Sequence, residues 1–155
     1  MTPHPGHDVT IERVIRAPRG VVWDAWTTPE LFGRWWIPEP YLCGVEYFAP
    51  RAGGGFVTTM SGDGAEPTPH MDAAFLVVEK GERLVFTNAV DSTLRPATPL
   101  PVAVTGDVTL ADHPDGTLYR ITARHADEQG RALHEELGLV EGWTLVTAQL
   151  ARVVE

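Results

Sequence analysis

Arg13, His125 and the pair Trp35-Trp36 are the residues of this chain whose types and positions best suit handling a ligand. Arg13 shares a strand face with Val9, Ile11 and Ile15. A buried guanidinium needs a partner, because an unpaired buried charge costs about 3–5 kcal/mol. One role for it is to anchor a ligand's carboxylate or carbonyl. The simpler accounts are an ion pair with a carboxylate such as Glu136, or a stem lying along the core while the head reaches water. These simpler accounts are the expectation. His125 falls in register with Tyr119, Ile121 and Ala123, which face inward together. A histidine at a pocket mouth suits general acid or base work at neutral pH. The sequence sets no nucleophile or orienting carboxylate beside it, so a solvated strand end explains it equally well. His70, between a proline-rich loop and a strand, carries less weight.

The indoles of Trp35 and Trp36 follow a short helix and could wall or cover an apolar ligand. Tryptophan also buries a large area wherever it packs, so at least one of the two belongs to the core. Trp143 is read the same way, as pocket floor or as the seam between a helix and a sheet. The seam is the simpler reading, and truncation to alanine is then expected to cost ~3–5 kcal/mol.

Other constellations lead nowhere. His4 and His7 flank Pro5-Gly6 in a terminal segment, whereas a structural zinc site needs four ligands on an ordered frame. Gly53-Gly54-Gly55 lacks the lysine and hydroxyl of a phosphate loop and runs into a strand, as a hairpin connection does. Cys43 has no basic neighbour to activate its thiol. As the only cysteine it can form no internal disulfide. There is no Gly-x-Ser-x-Gly elbow.

The elements that must position these residues follow from periodicity. Residues 1–8, with Pro3, Pro5 and Gly6, read as a loose tail. Val9 to Ala17 alternates as a strand, and Pro18 opens a helix carrying Val21, Val22, Ala25 and Trp26. Thr28-Pro29-Glu30 begins a second short helix, capped by Thr28, that runs to about Trp35. Six strands follow: 45–49, 56–60, 71–80, 83–89, 102–111 and 117–125, punctuated by glycine, proline and aspartate turns. The last segment changes period. Leu133, Leu137, Val140, Trp143, Val146, Leu150 and Val153 fall three or four apart and predict one long amphipathic helix, with Asp127 and Glu128 near its start. Gly138 and Gly142 each cost such a helix ~1 kcal/mol, which predicts that another backbone approaches closely there. Hairpin-linked strands and one amphipathic helix give an α+β domain over residues 9–155.

Composition bounds the function. A chain of 155 residues with 43% hydrophobic and 21% charged residues is a globular domain of ordinary size. A formal charge of -9, with Lys80 the only lysine, argues against nucleic acid or an anionic membrane as partner. No apolar run approaches the ~20 residues of a membrane-spanning helix. The polar start predicts no signal peptide and hence a cytoplasmic location.

An ordered set of short motifs runs through the chain: Arg13, Ala17-Pro18, Val22-Trp23, Ala25-Trp26-Thr27 and Trp35-Trp36, then Arg51-Ala52-Gly53-Gly54 and Leu84-Val85-Phe86-Thr87. It continues with Gly116-Thr117, Glu141-Gly142-Trp143 and Leu150-Ala151. In this order and spacing the chain resembles the family named after the activator of the heat-shock-protein-90 ATPase, within the START-like, polyketide-cyclase-like superfamily. The resemblance covers Val9 to the end. It implies a helix-grip fold, in which about seven antiparallel strands curve around the long C-terminal helix and leave a cavity, with two short helices after strand one. It also implies binding of a small hydrophobic molecule, with no metal and no cofactor. The lining it suggests comprises Arg13, Trp35, Trp36, Tyr47, Phe56, Phe75, Phe86, Tyr119, His125, Leu139 and Trp143. An enzyme of the cyclase, dehydratase or hydrolase kind in the same cavity is the alternative, and a chaperone ATPase regulator the second alternative. The name-giving co-chaperone has a further N-terminal domain with no counterpart here, so a chaperone is not an expected partner. Trp35-Trp36-Ile37-Pro38 replaces the Trp-Trp-Gly-Pro of the family, which should stiffen the rim differently. A homodimer is the expected assembly where one forms.

Overall fold

Alternation of period two fixes the sheet, because successive strand residues face opposite sides. The computed structural model describes residues 6–62, 64 and 66–155. It contains β1 (Asp8–Ile15), β2 (Leu42–Phe48), β3 (Gly55–Ser61), β4 (Thr68–Glu79), β5 (Arg83–Thr87), β6 (Thr105–His113) and β7 (Gly116–Arg124). All neighbours pair antiparallel in the order β1-β7-β6-β5-β4-β3-β2. Register carries one apolar face across the strands: Phe56 lies opposite Ala73, Phe75 opposite Phe86, and Phe86 opposite Gly106. A side chain at Gly106 would collide with the Phe86 ring, so only glycine lets that ring lie over the β6 backbone. Extra residues interrupt the ladder at Glu46, His70 and Leu76. Such bulges bend a strand and increase its twist, which is what a sheet needs to curl around a helix.

Two short helices, α1 (Arg19–Thr27) and α2 (Pro29–Phe32), follow β1. Pro29 sits in the first turn of α2 as expected, but the Thr28 side chain makes no capping bond. The helix ends at Phe32 rather than near Trp35, and the backbone continues in turns through Trp36. Val22, Trp23, Ala25 and Trp26 form the buried face of α1.

The C-terminal helix is where expectation and structure differ most. It is two helices, α3 (Glu128–Glu136) and α4 (Leu139–Val154), broken at Gly138 with φ 95°. A left-handed residue cannot continue a right-handed helix, and glycine adopts that conformation without strain. Asp127 caps α3, accepting a hydrogen bond from the Gly130 N–H at 2.7 Å. α3 contributes no fully buried residue, and Leu133 on it, Leu137 just after it and Val140 at the start of α4, all of the expected stripe, are exposed. Val146 and Leu150 are buried, and α4 packs against α1 and β1. Among the described residues no foreign backbone lies within 4 Å of where a side chain at Gly138 or Gly142 would begin. The glycine at 142 faces open space.

Of the expected tail, residues 1–5 lie outside the described residues. Asp8 already opens β1, and the Gly6 and His7 carbonyls accept hydrogen bonds from Arg131 and His125.

Candidate functional site

The space between the sheet and α4 is filled at one end and open at the other. Trp26, Phe32, Trp35, Trp36, Phe56 and Phe86 pack face and edge with ring centroids 4.9–5.7 Å apart. Such geometries suit the aromatic quadrupole. Beyond this cluster lies a cavity of about 300 Å³. Trp35, Trp36 and Pro38 form one wall; Val146, Trp143 and Gly142 of α4 form another; Tyr119 and Ile121 of β7 provide the floor. The mouth is ringed by Leu100, Pro101 and Val102 from the proline-rich loop and by Leu137 and Gly138 at the helix break. Gly142, one turn past the break at Gly138, adds no side chain to this wall, and nothing lies within 4 Å of the point where one would begin.

Trp35 and Trp36 are thus core and wall at once. The Trp35 indole N–H donates to the Ala25 carbonyl at 2.9 Å. Gln149 of α4 holds the segment after it: its amide donates to the Trp35 and Ile37 carbonyls at 3.0 and 2.9 Å and accepts from the Glu39 N–H at 2.8 Å. The Trp36 Nε1–H, though buried, has no partner among the described residues. Tyr119 accepts the Trp26 indole N–H at 3.1 Å, and its own O–H meets no acceptor among the described residues. Burial pushes the Tyr119 phenol well above its ordinary pKa, so it stays protonated. Two of the lining residues, Trp36 and Tyr119, thus each carry a donor with no acceptor among the described residues.

Five of the expected lining residues meet at this cavity: Trp35, Trp36, Tyr119, Leu139 and Trp143. Phe56, Phe75 and Phe86 are fully buried in the core and do not reach its surface. Tyr47 is 42% exposed on β2, away from the cavity. Arg13 lies opposite Tyr119 in the β1–β7 register, on the concave face, yet it is exposed and makes no ion pair among the described residues. β1 is an edge strand, so the long side chain reaches water past the end of the core. Glu136 is not its partner.

His125 is buried just past β7, 7% exposed, and touches the cavity only through a residue that sequence reasoning missed. Its Nε2 lies 2.8 Å from Nδ1 of His134 on α3, and its Nδ1 lies 2.8 Å from the His7 carbonyl. His134 lines the cavity, with its ring edge-on to Trp143 at 6.2 Å. Burial, assisted by the nearby His125, pulls the His134 pKa down to about 4. His70 was also undervalued. As the extra residue of the β4 bulge it lines the cavity together with Met71, its neighbour in sequence, which regular alternation would forbid. Its Nδ1 is 3.0 Å from the Thr58 hydroxyl. Cys43 is partly buried and its thiol is pushed up to about 11, which leaves it unreactive. Among the described residues no three His, Cys, Asp or Glu side chains are grouped to hold a metal. His4 lies outside them. No helix among the described residues is long and apolar enough to cross a membrane.

Solved structures of similar proteins share this architecture. A protein from Nitrosomonas europaea is 32% identical, with a TM-score of 0.86 over 97% of this chain and 96% of that one. One from Chromobacterium violaceum is 25% identical, with a TM-score of 0.74 over 96% and 97%. An AHSA1-like protein from Aeromonas hydrophila is 25% identical, with a TM-score of 0.69 over 95% and 91%. The comparison with curated proteins finds no match. A family model described as activator of Hsp90 ATPase homolog 1-like protein matches residues 16–155. With its seven-stranded antiparallel sheet and long final helix in the helix-grip arrangement, the chain belongs to the activator of Hsp90 ATPase homolog 1-like family.

Proposed function

We propose that this protein binds a small, largely apolar molecule in the cavity between the sheet and α4. The observation that carries this reading is a volume of about 300 Å³ with tryptophan and aliphatic walls, kept empty by a glycine at 142 whose missing side chain faces open space. Leaving such a volume unfilled sacrifices packing energy, since apolar cavities destabilise the folds that contain them. Pockets of this size and lining, with a few polar groups, are the usual form of small-molecule sites. The fold agrees with this use, since helix-grip proteins leave room between sheet and helix.

The test is native mass spectrometry of the protein purified from its own host, beside a Gly142→Leu variant. A small molecule should accompany the wild-type chain and be absent from the variant, with both folded by circular dichroism. A molecule retained equally by Gly142→Leu would place binding elsewhere.

A further inference from the structure

The His125–His134 pair makes the polar end of the cavity chemically specific, by bookkeeping of protons. A carbonyl oxygen only accepts, so His125 Nδ1, 2.8 Å from the His7 carbonyl, must carry a hydrogen. In neutral His125 the other nitrogen, Nε2, is then a bare lone pair. One hydrogen must lie in the 2.8 Å between it and His134 Nδ1, so His134 supplies it. A neutral His134 protonated on Nδ1 has a bare Nε2. That atom lies on the ring edge away from His125 and has no hydrogen-bond partner among the described residues. Adding one proton to the pair reverses this. Whichever ring holds the charge, Nε2 of His134 then carries hydrogen.

Among the described residues no charged side chain bonds to either ring: Glu128 and Glu136 of α3 and Glu141 of α4 make no hydrogen bond or ion pair with them, and the others nearby are engaged elsewhere. Arg131 of α3 binds the Gly6 carbonyl and Glu135, Arg124 of β7 binds Asp8 and Asp107, and Asp127 caps α3. His7 contributes its carbonyl to the pair, and Trp143 of α4 offers only its ring.

We infer that His134 Nε2 is a hydrogen-bond acceptor offered to the cavity, set by His125, and that the ligand is an apolar molecule bearing a hydroxyl group that donates to it. Two further lining residues, Trp36 and Tyr119, carry an N–H and an O–H with no acceptor among the described residues, which suit an oxygen acceptor elsewhere on the same ligand. This inference rests on the reading of the cavity as a ligand site.

Two probes of one shape separate the two ideas: 2-naphthol, which can donate, and 2-methoxynaphthalene, which cannot. Isothermal titration of the full chain at pH 7.5 should show 2-naphthol binding about 3- to 10-fold tighter, the worth of one net hydrogen bond. His134→Leu should reduce the ratio to about one, both probes being measured on the same variant, and circular dichroism should show it folded, since no residue of α3 is fully buried. Equal affinity of the two probes for the wild-type chain, or an unchanged ratio in His134→Leu, would overturn the hydroxyl assignment and leave the cavity reading standing. Binding of neither probe would remove both. Nitrogen-15 spectra of histidine-labelled protein at pH 8 give a ligand-free check: His134 should be protonated on Nδ1 and bare on Nε2. The opposite tautomer would overturn the inference whatever the titrations show.

Discussion

The two ends of the space between sheet and helix are built from the same kinds of residue and have opposite properties. At the α1–α2 end, Trp26, Phe32, Phe56 and Phe86 are each no more than 1% exposed and interlock edge to face. At the α3 end the same sheet faces a helix with no fully buried residue, a glycine break and a proline-rich loop. The difference lies less in how apolar the residues are than in whether a partner surface is close enough to fill the gap. Interiors are packed like organic crystals, so an unfilled volume of this size marks a place where the fold stops optimising itself.

Truncation at each end tests that contrast most severely. Trp26→Ala should lower stability by ~3–5 kcal/mol, as large aromatic deletions in packed cores do. Trp143→Ala should cost only ~1–2 kcal/mol, because its half-buried ring already borders empty space. The larger value expected from periodicity alone therefore does not carry over. Urea unfolding measures both, and equal losses would mean that the two ends are packed alike. Gln149→Leu comes next. It removes the hydrogen bonds to Trp35, Ile37 and Glu39 and leaves buried backbone groups unpaired, for an expected loss of ~1–3 kcal/mol.

A titration sharpens the comparison further. His134 is held below its ordinary pKa, so the folded chain binds fewer protons than the unfolded one. Stability should fall as pH drops from about 6.5 toward about 4, by ~1 kcal/mol after allowance for solvent around the ring. His134→Leu should make that part of the stability curve shallower, leaving the share of His70, which burial also holds below its ordinary pKa, and an unchanged slope would show that His134 sits in water. The smallest effect is expected for Gly142→Ala. Alanine meets nothing within 4 Å there and favours helix, so unfolding should become harder by ~0.5–1 kcal/mol.

How much of this was legible in the sequence depended on the range of the cause. Strands and hairpins are set by alternation and local turn residues, and all seven expected strands are present, with ends displaced by up to about three residues. The break at Gly138 was visible only as a propensity defect. Spacing alone could not tell a close approach from a left-handed turn, because Leu137, Val140 and Trp143 keep the apolar period across it. Trp35, Trp36 and Trp143 could be picked out because large indoles near helix ends have few other places to go. His134 could not: its meeting with His125 depends on how tightly the chain turns through Ala126 and Asp127. His70 was hidden by a bulge, since one extra residue overturns the parity on which inward and outward assignments rest. Arg13 shows the converse. Its face was right, but sequence does not say that its strand stands at the margin of the sheet.

The Gln149 amide has a mechanical consequence. Three bonds made by one side chain to points on one irregular segment can be satisfied at a single axial position of α4, and a shift by even one residue along that axis would break them together. The helix is thus indexed, like a bolt in a notch, and cannot slide to widen or narrow the cavity. Any change in capacity must come from the side where α3 and the proline loop stand, which makes one wall of the chamber a fixed gauge and the other its adjustable jaw.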